Sequence, residues 1–478
     1  MEFTKTERGK LKLLFNGYMY VKQIVKKTNI RWRCTLFNHG CKGTLVTDLK
    51  NQNPDPRADH NHAPDMSAVE VAKCRASMKE RAVTSSDKPC AIYNEGLAPL
   101  SNQSKALLQK PDTCKRSIRR QRTKQFPDQP NSLEELRVDY PWTHTTGQNP
   151  KPFLFFDNQS RDIRIMAFAT DDNLRLLAQS TTWYMDGNFA MAPSLFLQLY
   201  VIHVPLGDNT VPVVYTFLQR KTQDIYEELL QAIIDRCRTI GVEPDPTCIV
   251  IDFEISAKNA LHAVLGADLD VHCCFYHLTQ STWRKIQELG LVDHYREDDD
   301  FRHFCGMLDG LAFLPTDRVQ EGMQYLRTIV PDEADQLLAY FDATYVSGRH
   351  RQVQAPRGAI RIRRTPPQFP PASWNVHSIT LEGHPRTNNV CEGWNNKYRN
   401  LVGHQHPSIW KSIHTLQGEQ NAVQTTVMQH LSGQLPCKRV RRATRVLQER
   451  LTLLCNDFAA GRRTLTELLR GVGHSIRF

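Results

Sequence analysis

The 478-residue chain has no apolar run long enough to cross a bilayer, and its opening MEFTKTERGKLKLLF lacks the apolar core of a secretory signal. Its 13 cysteines, an odd number scattered along the chain, argue against a disulfide framework. Internal repeats are absent. Acidic residues are in the minority: 50 Asp and Glu against 61 Lys and Arg leave a formal charge of +11. These absences predict a soluble intracellular protein in a reducing compartment, with some thiols committed to metal. The basic excess suits a polyanionic partner, although a cationic cytosolic enzyme would carry it too. The length allows two or three domains.

Residues 1–65 alternate with the strand period through LKLLF, GYMYVKQIV, IRWRCTLF and GTLVTD, with Gly and Asn turns between. Cys34, Cys41, His60 and His62 fall within this small unit, spaced C-x6-C-x18-H-x-H. So small a sheet buries little, and a structural zinc on two thiolates and two imidazoles would supply the missing stability. The plainer reading is two ordinary cysteines beside a His-rich loop. The His-x-His pair, arriving where the strands stop, favours zinc.

Residues 66–149 read as a helical segment and linker. A helix is predicted over 68–83 with Val71, Arg75, Met78 and Ala82 on one face, and a second around Ile92. A third follows Asp112 as its cap, with Cys114 and Ile118 one turn apart. It carries Lys115, Arg116, Arg119, Arg120, Arg122 and Lys124. Three helices ending in a basic one fit a helix-turn-helix module that meets a DNA groove. A nuclear-localisation run or a solvated linker helix fits equally. Pro127, Pro130 and Pro141 mark the linker.

From 150 to 290 the pattern turns α/β, with strands expected at 163–169, 183–189, 195–204 and 211–218 and a helix at 223–240. The run Ile249, Val250, Ile251 ends abruptly in Asp252, Phe253, Glu254, the end of a strand where α/β ligand sites form. Asp252 alone reads as a helix cap. Asp186 interrupts a second apolar strand, and Glu392 lies on a helix with Val390, Trp394 and Leu401 behind it and Asn395, Asn396 and Arg399 in front. Three such acids brought together would repel unless they hold cations. Three strands, a helix, a strand, a helix and a strand is the order of an RNase H-like core. Its first acid lies on the first strand, its second after the fourth and its last on a later helix. Residues 291–385 read as a helical insertion with a basic, Pro-rich extended loop over 349–373, bearing arginines at 349, 351, 357, 361, 363 and 364. Residues 386–478 hold the Glu392 helix, the basic run CKRVRRATR at 437–445 and two amphipathic helices.

Phe3, Leu14, Tyr18, Trp32, Cys34, Cys41, His60 and His62 resemble the residues that name the FLYWCH zinc finger, with Trp32-Arg33-Cys34 its most specific mark. Residues 160–420 resemble the transposase domain of Mutator-like elements (MULE). The resemblance rests on WYMDGNF (183–189), IDFE (251–254), Cys274-x-x-His277 and TNNVCEGWN (387–395), with LFLQLYVIHVP (195–205) and GLAFLP (310–315) in support. The family commonly shows Asp-Gly-Thr-Phe at the first acid, where this chain has Asn188. The resemblance implies a nuclear DNA transposase acting on double-stranded DNA at terminal inverted repeats as a homo-oligomer, without membrane attachment. Asp186, Asp252 and Glu392 would hold Mg2+ or Mn2+ for two-metal phosphodiester chemistry, besides the structural Zn2+ of the finger. Cys274 and His277 form half a zinc site or one turn of helix packed on the core. The alternative is a domesticated DNA-binding regulator of transcription or chromatin that keeps the transposase domain as a relic. The finger itself would bind DNA or protein.

Overall fold

Six short strands pair in chain order as an antiparallel sheet: β1 (Glu2–Lys5), β2 (Leu11–Phe15), β3 (Tyr18–Val25), β4 (Asn29–Cys34), β5 (Thr44–Asp48) and β6 (Asp55–Ala58). The β2–β3 hairpin turns on Asn16 and Gly17, both at positive φ (48° and 78°), the conformation that two-residue hairpins demand and this dipeptide accepts. Leu13, Tyr20, Ile30, Trp32 and Leu45 make the core, and the buried Trp32 indole donates to Thr47 Oγ1 at 2.9 Å. The computed structural model describes residues 1–5, 9–85, 87–354, 360–383, 386–434 and 441–477, without the side chains of 350–362. Two units result, Met1–Asp128 and Gln129–Phe478.

Among the described residues, four helices complete the first unit: α1 (Met66–Thr84), α2 (Pro89–Leu97), α3 (Asn102–Leu107) and α4 (Pro111–Thr123). Three were expected. The missed one, α3, has only six residues, too few for a periodic signal, but its start is capped by Ser101, which accepts from Ser104 N. Pro111 opens α4, and Asp112 sits in the first turn instead of capping it. Cys74, Met78, Ala82, Ile92, Leu100, Cys114 and Ile118 are packed together. The buried stripe of α1 is therefore Val69, Cys74, Met78 and Ala82, with Val71 and Arg75 at its border.

The second unit is built on a seven-stranded mixed sheet. Its strands are β7 (Leu154–Asp157), β8 (Ile165–Phe168), β9 (Thr182–Asn188), β10 (Gln198–Leu206), β11 (Asn209–Leu218), β12 (Cys248–Ile251) and β13 (Asp270–Cys273). Their spatial order is β13-β12-β9-β10-β11-β8-β7, with β13, β12 and β9 parallel and the rest antiparallel. The edge strand β7 was not anticipated. Helices α5 (Asp171–Gln179), α6 (Gln223–Thr239) and α7 (Ile255–Leu265) pack on the sheet through Leu174, Leu177, Leu229, Ile233 and Leu261. Side chains alternate across the pleat: Trp183, Met185, Ile249 and Ile251 join that helix layer, while Tyr184 and Val250 point to the opposite face.

Beyond α8 (Phe275–Glu288) come α9 (Val292–Glu297), α10 (Asp299–Gly310), α11 (Val319–Thr328), α12 (Asp335–Phe341) and α13 (His377–Leu381). The basic stretch is a hairpin and not an extended loop: β14 (Arg349–Gln354) pairs antiparallel with β15 (Ile360–Thr365). Arg349, Arg363 and Arg364 are exposed, and Arg357 lies outside the described residues. After α14 (Asn389–Val402) and α15 (Ile409–Leu431) the chain returns as α16 (Arg442–Ala459) and α17 (Leu465–Arg477). These last two close a core with α10 and α11: Leu451, Cys455, Leu468 and Val472 pack with Phe301, Leu308, Phe313 and Met323. Of the basic run, residues 437–440 lie outside the description. Among the described residues no helix is long and apolar enough to cross a membrane.

Candidate metal centres

In the first unit, Cys34 ends β4, Cys41 follows a tight turn, and His60 and His62 follow β6. Cys34 Sγ lies 3.3 Å from His62 Nε2, Cys41 Sγ 3.3 Å from His60 Nδ1, and the two imidazole nitrogens 3.3 Å apart. A tetrahedral zinc with bonds of about 2.0–2.3 Å has ligand edges of roughly 3.3–3.8 Å, so the four donors fit it. Outer partners fix both rings. Tyr20 Oη is 2.9 Å from His60 Nε2, and the Ala63 carbonyl is 3.0 Å from His62 Nδ1, which leaves the opposite nitrogens for metal. Leu36 N and Gly43 N donate to the two sulfurs at 3.4 Å. Gly43 is required there, since a Cβ would lie 2.4 Å from the His60 ring.

The second centre grows from strand register. Val250 pairs with Tyr184 across the parallel β12–β9 junction, so Asp252 and Asp186, each two residues on, stand side by side on the same face. His277, in the first turn of α8, joins them: one donor atom from each of the three lies within 4.8 Å of the others. Its Nδ1 is 3.4 Å from Asp252 Oδ1 and its Nε2 3.6 Å from Glu392 Oε1. Asn395, one turn after Glu392 on α14, donates to Asp186 Oδ2 at 2.6 Å. The buried stripe of α14 is Cys391, Trp394, Asn395, Tyr398 and Val402. Leu401, expected at the back, is exposed, and Asn395, expected in front, is drawn inward by Asp186.

The electrostatics follow from burial. Asp186 is only 7% exposed and its carboxyl is pushed up to about 7, by desolvation first and then by Glu392 and Asp252, against the pull of His277. Burial opposes the charge on His277, yet its neighbours Cys274, Glu392 and Asp252 raise it to about 11. Glu392 is held below the usual carboxylate range, chiefly by His277, whose Nε2 is 3.6 Å away. His277 thus stands among three acids. Cys274 lies at its side. Its sulfur is fully buried, accepts from Asn388 N at 3.3 Å and packs with Tyr184, Val250 and Cys391 one row below the acids. Asn188, which departs from the common pattern, accepts from Met191 N at 3.2 Å and closes the turn after β9.

Residues 3–62 match the FLYWCH zinc finger domain, and residues 182–281 match the MULE transposase domain. The chain carries a FLYWCH finger and a MULE transposase domain. The finger match spans all four zinc-site residues. The MULE match takes in Asp186, Asp252, Cys274 and His277, while Glu392 lies beyond it. No curated protein matches the chain.

The basic residues expected to meet DNA divide in two. Arg116, Arg119, Arg120 and Lys124 are exposed on or next to α4. Arg122 is tied inward, donating to the carbonyls of Ala82, Ser85 and Asp87, and Lys115 lies over the Tyr93 ring.

Proposed function

We propose that this chain is a nuclear DNA transposase that cleaves and transfers DNA strands at Asp186, Asp252 and Glu392. The observation that carries the reading is the convergence of Asp186, Asp252, His277 and Glu392 from two strands and two helices onto one face. The order β11-β10-β9-β12-β13, with acids on the central strand, after its parallel neighbour and on a later helix, supports an RNase H-like core. Carboxylate oxygens are hard donors of the kind Mg2+ and Mn2+ take. When bound there, such ions supply neutralisation of phosphate charge and activation of a water or a 3′-hydroxyl. The chain's own part is placement. β9 and β12 fix the spacing of Asp186 and Asp252, Asn395 orients the Asp186 carboxylate, and His277 holds Glu392 beside Asp252. The half-exposed Asp252 side chain gives the face its opening to solvent. Double-stranded DNA would be gripped by the exposed arginines of α4 and by the finger.

The test is magnesium-dependent nicking of duplex DNA by the full chain and by Asp186→Asn, which removes charge and keeps bulk. Loss of nicking with unchanged folding and DNA binding supports the assignment. Undiminished cleavage by the variant sinks it.

A further inference from the structure

The same sheet face carries a second cluster of donors, at the other end of the strands. Cys248 opens β12 and Asp270 opens β13, and the parallel register sets them opposite one another; His272 follows two residues on, opposite Val250. One donor atom from each of Cys248, Asp270 and His272 lies within 4.8 Å of the others. His272 Nε2 is 2.5 Å from Asp270 Oδ2, while its Nδ1 is buried with no hydrogen-bond partner. An Asp–His pair alone would explain the first contact. It does not explain the thiol of Cys248, whose sulfur lies within 4.8 Å of a donor atom of each.

The cluster is separate from the acids described above. Cys248 opens β12 and Asp252 follows its last residue, about 13 Å away at the usual strand rise. Tyr184, Val250 and Cys391 fill the space between, an apolar plug in which Cys274 also takes part. Asp270 is exposed, so an ion has a path in from solvent.

We propose that Cys248, Asp270 and His272 form a second zinc site, with water in the fourth position. Thiolate, imidazole and carboxylate together are the donor set of a borderline-soft divalent ion, and three protein ligands plus water is a usual open zinc arrangement. Bound there, the ion cross-links the first turns of pleat in β12 and β13. Those strands deliver Asp252 and the Cys274–His277 step at their far ends, so the clip fixes their relative register. The inference does not depend on the catalytic reading.

The experiment uses the full chain with Zn2+ as probe. After loading and desalting, Cys248→Ser is expected to carry one zinc per chain fewer than the unmodified protein, and His272→Gln likewise. Because either variant could disturb the strand edge, the deciding measurement is made on the unmodified chain. Alkylation of Cys248, followed by the mass of its peptide, should slow about tenfold or more with Zn2+ and not with Mg2+, since a metal-bound thiolate is withdrawn from reaction. Equal alkylation rates with and without Zn2+ overturn the proposal, as does unchanged zinc content in Cys248→Ser.

Discussion

Asp186 and Asp252 stand side by side because the strands that carry them are parallel neighbours with Tyr184 opposite Val250. Their surroundings differ all the same. Asp186 is walled in beneath α14 and bonded to Asn395, whereas the Asp252 side chain is about half exposed, at 48%. Two identical carboxyls on one face therefore have unequal solvation, and the buried one is the harder to ionise without a cation.

That inequality gives a pH signature in the metal-free chain. The Asp186 carboxyl moves from an ordinary 3.8 to about 7 on folding. A raised carboxyl favours the fold at acid pH, and the contribution is lost as pH rises through the folded value, by at most about 1.4 kcal/mol per pH unit. Asp186→Asn should therefore raise the melting temperature in chelator, and by more at pH 8 than at pH 5. Equal gains at both pH values would mean that Asp186 is not desolvated as the structure shows.

The finger should depend on its ion. Its apolar core is five residues, and a structural zinc contributes on the order of 10 kcal/mol or more. Removing zinc should abolish the sheet signal of residues 1–62 in circular dichroism, and Tyr20→Phe should weaken zinc binding by freeing the His60 ring. A metal-free chain with its finger resonances intact in an NMR spectrum would contradict the first expectation.

The basic helix makes a prediction with an internal control. Changing Arg116, Arg119 and Arg120 together to Ala should flatten the slope of log affinity for DNA against log salt by about 2 to 3 units. Arg122→Ala should leave the slope nearly unchanged and instead destabilise the helical module by about 1–3 kcal/mol, because three carbonyls lose their donor. If Arg122→Ala alters the slope as the triple variant does, α4 does not present the face seen here.

Much of this was legible in the sequence because the signals were local. Strand alternation around Trp32, the apolar run ending at Asp252 and the His60-x-His62 pair each declare themselves within a few residues. The positions of β9, β10, β11 and β12 followed from such runs. What stayed hidden depended on distant partners. β7 is a four-residue edge strand without alternation, and α3 is six residues long. The inward turn of Asn395 requires Asp186, 395 − 186 = 209 positions earlier, and the inward turn of Arg122 requires the end of α1. A helical wheel sorts residues by polarity, so it put Asn395 outside and Leu401 inside; the hydrogen bond to Asp186 reversed the first, and Leu401 is exposed. The docking of α17 onto α10, with α16 packed against α17, had no sequence signal beyond their amphipathic stripes.

That docking supplies the last prediction. Asp309 on α10 is fully buried and accepts from Thr282 Oγ1 at 2.7 Å and from the Arg477 guanidinium of α17. Arg477 also donates to Tyr295 Oη at 3.2 Å. The helices approach closely: a Cβ on Gly306 would lie 2.5 Å from the Gly473 carbonyl. A buried ion pair is costly to break on one side, because the remaining charge is left unpaired. Asp309→Ala should cost about 3–5 kcal/mol, and pairing it with Arg477→Met should recover part of that loss, since no bare charge then remains. Denaturant unfolding of the single and double variants would measure both. Should Asp309→Ala cost under about 1 kcal/mol, or the double variant cost the sum of the two singles, then α17 is not held by this pair.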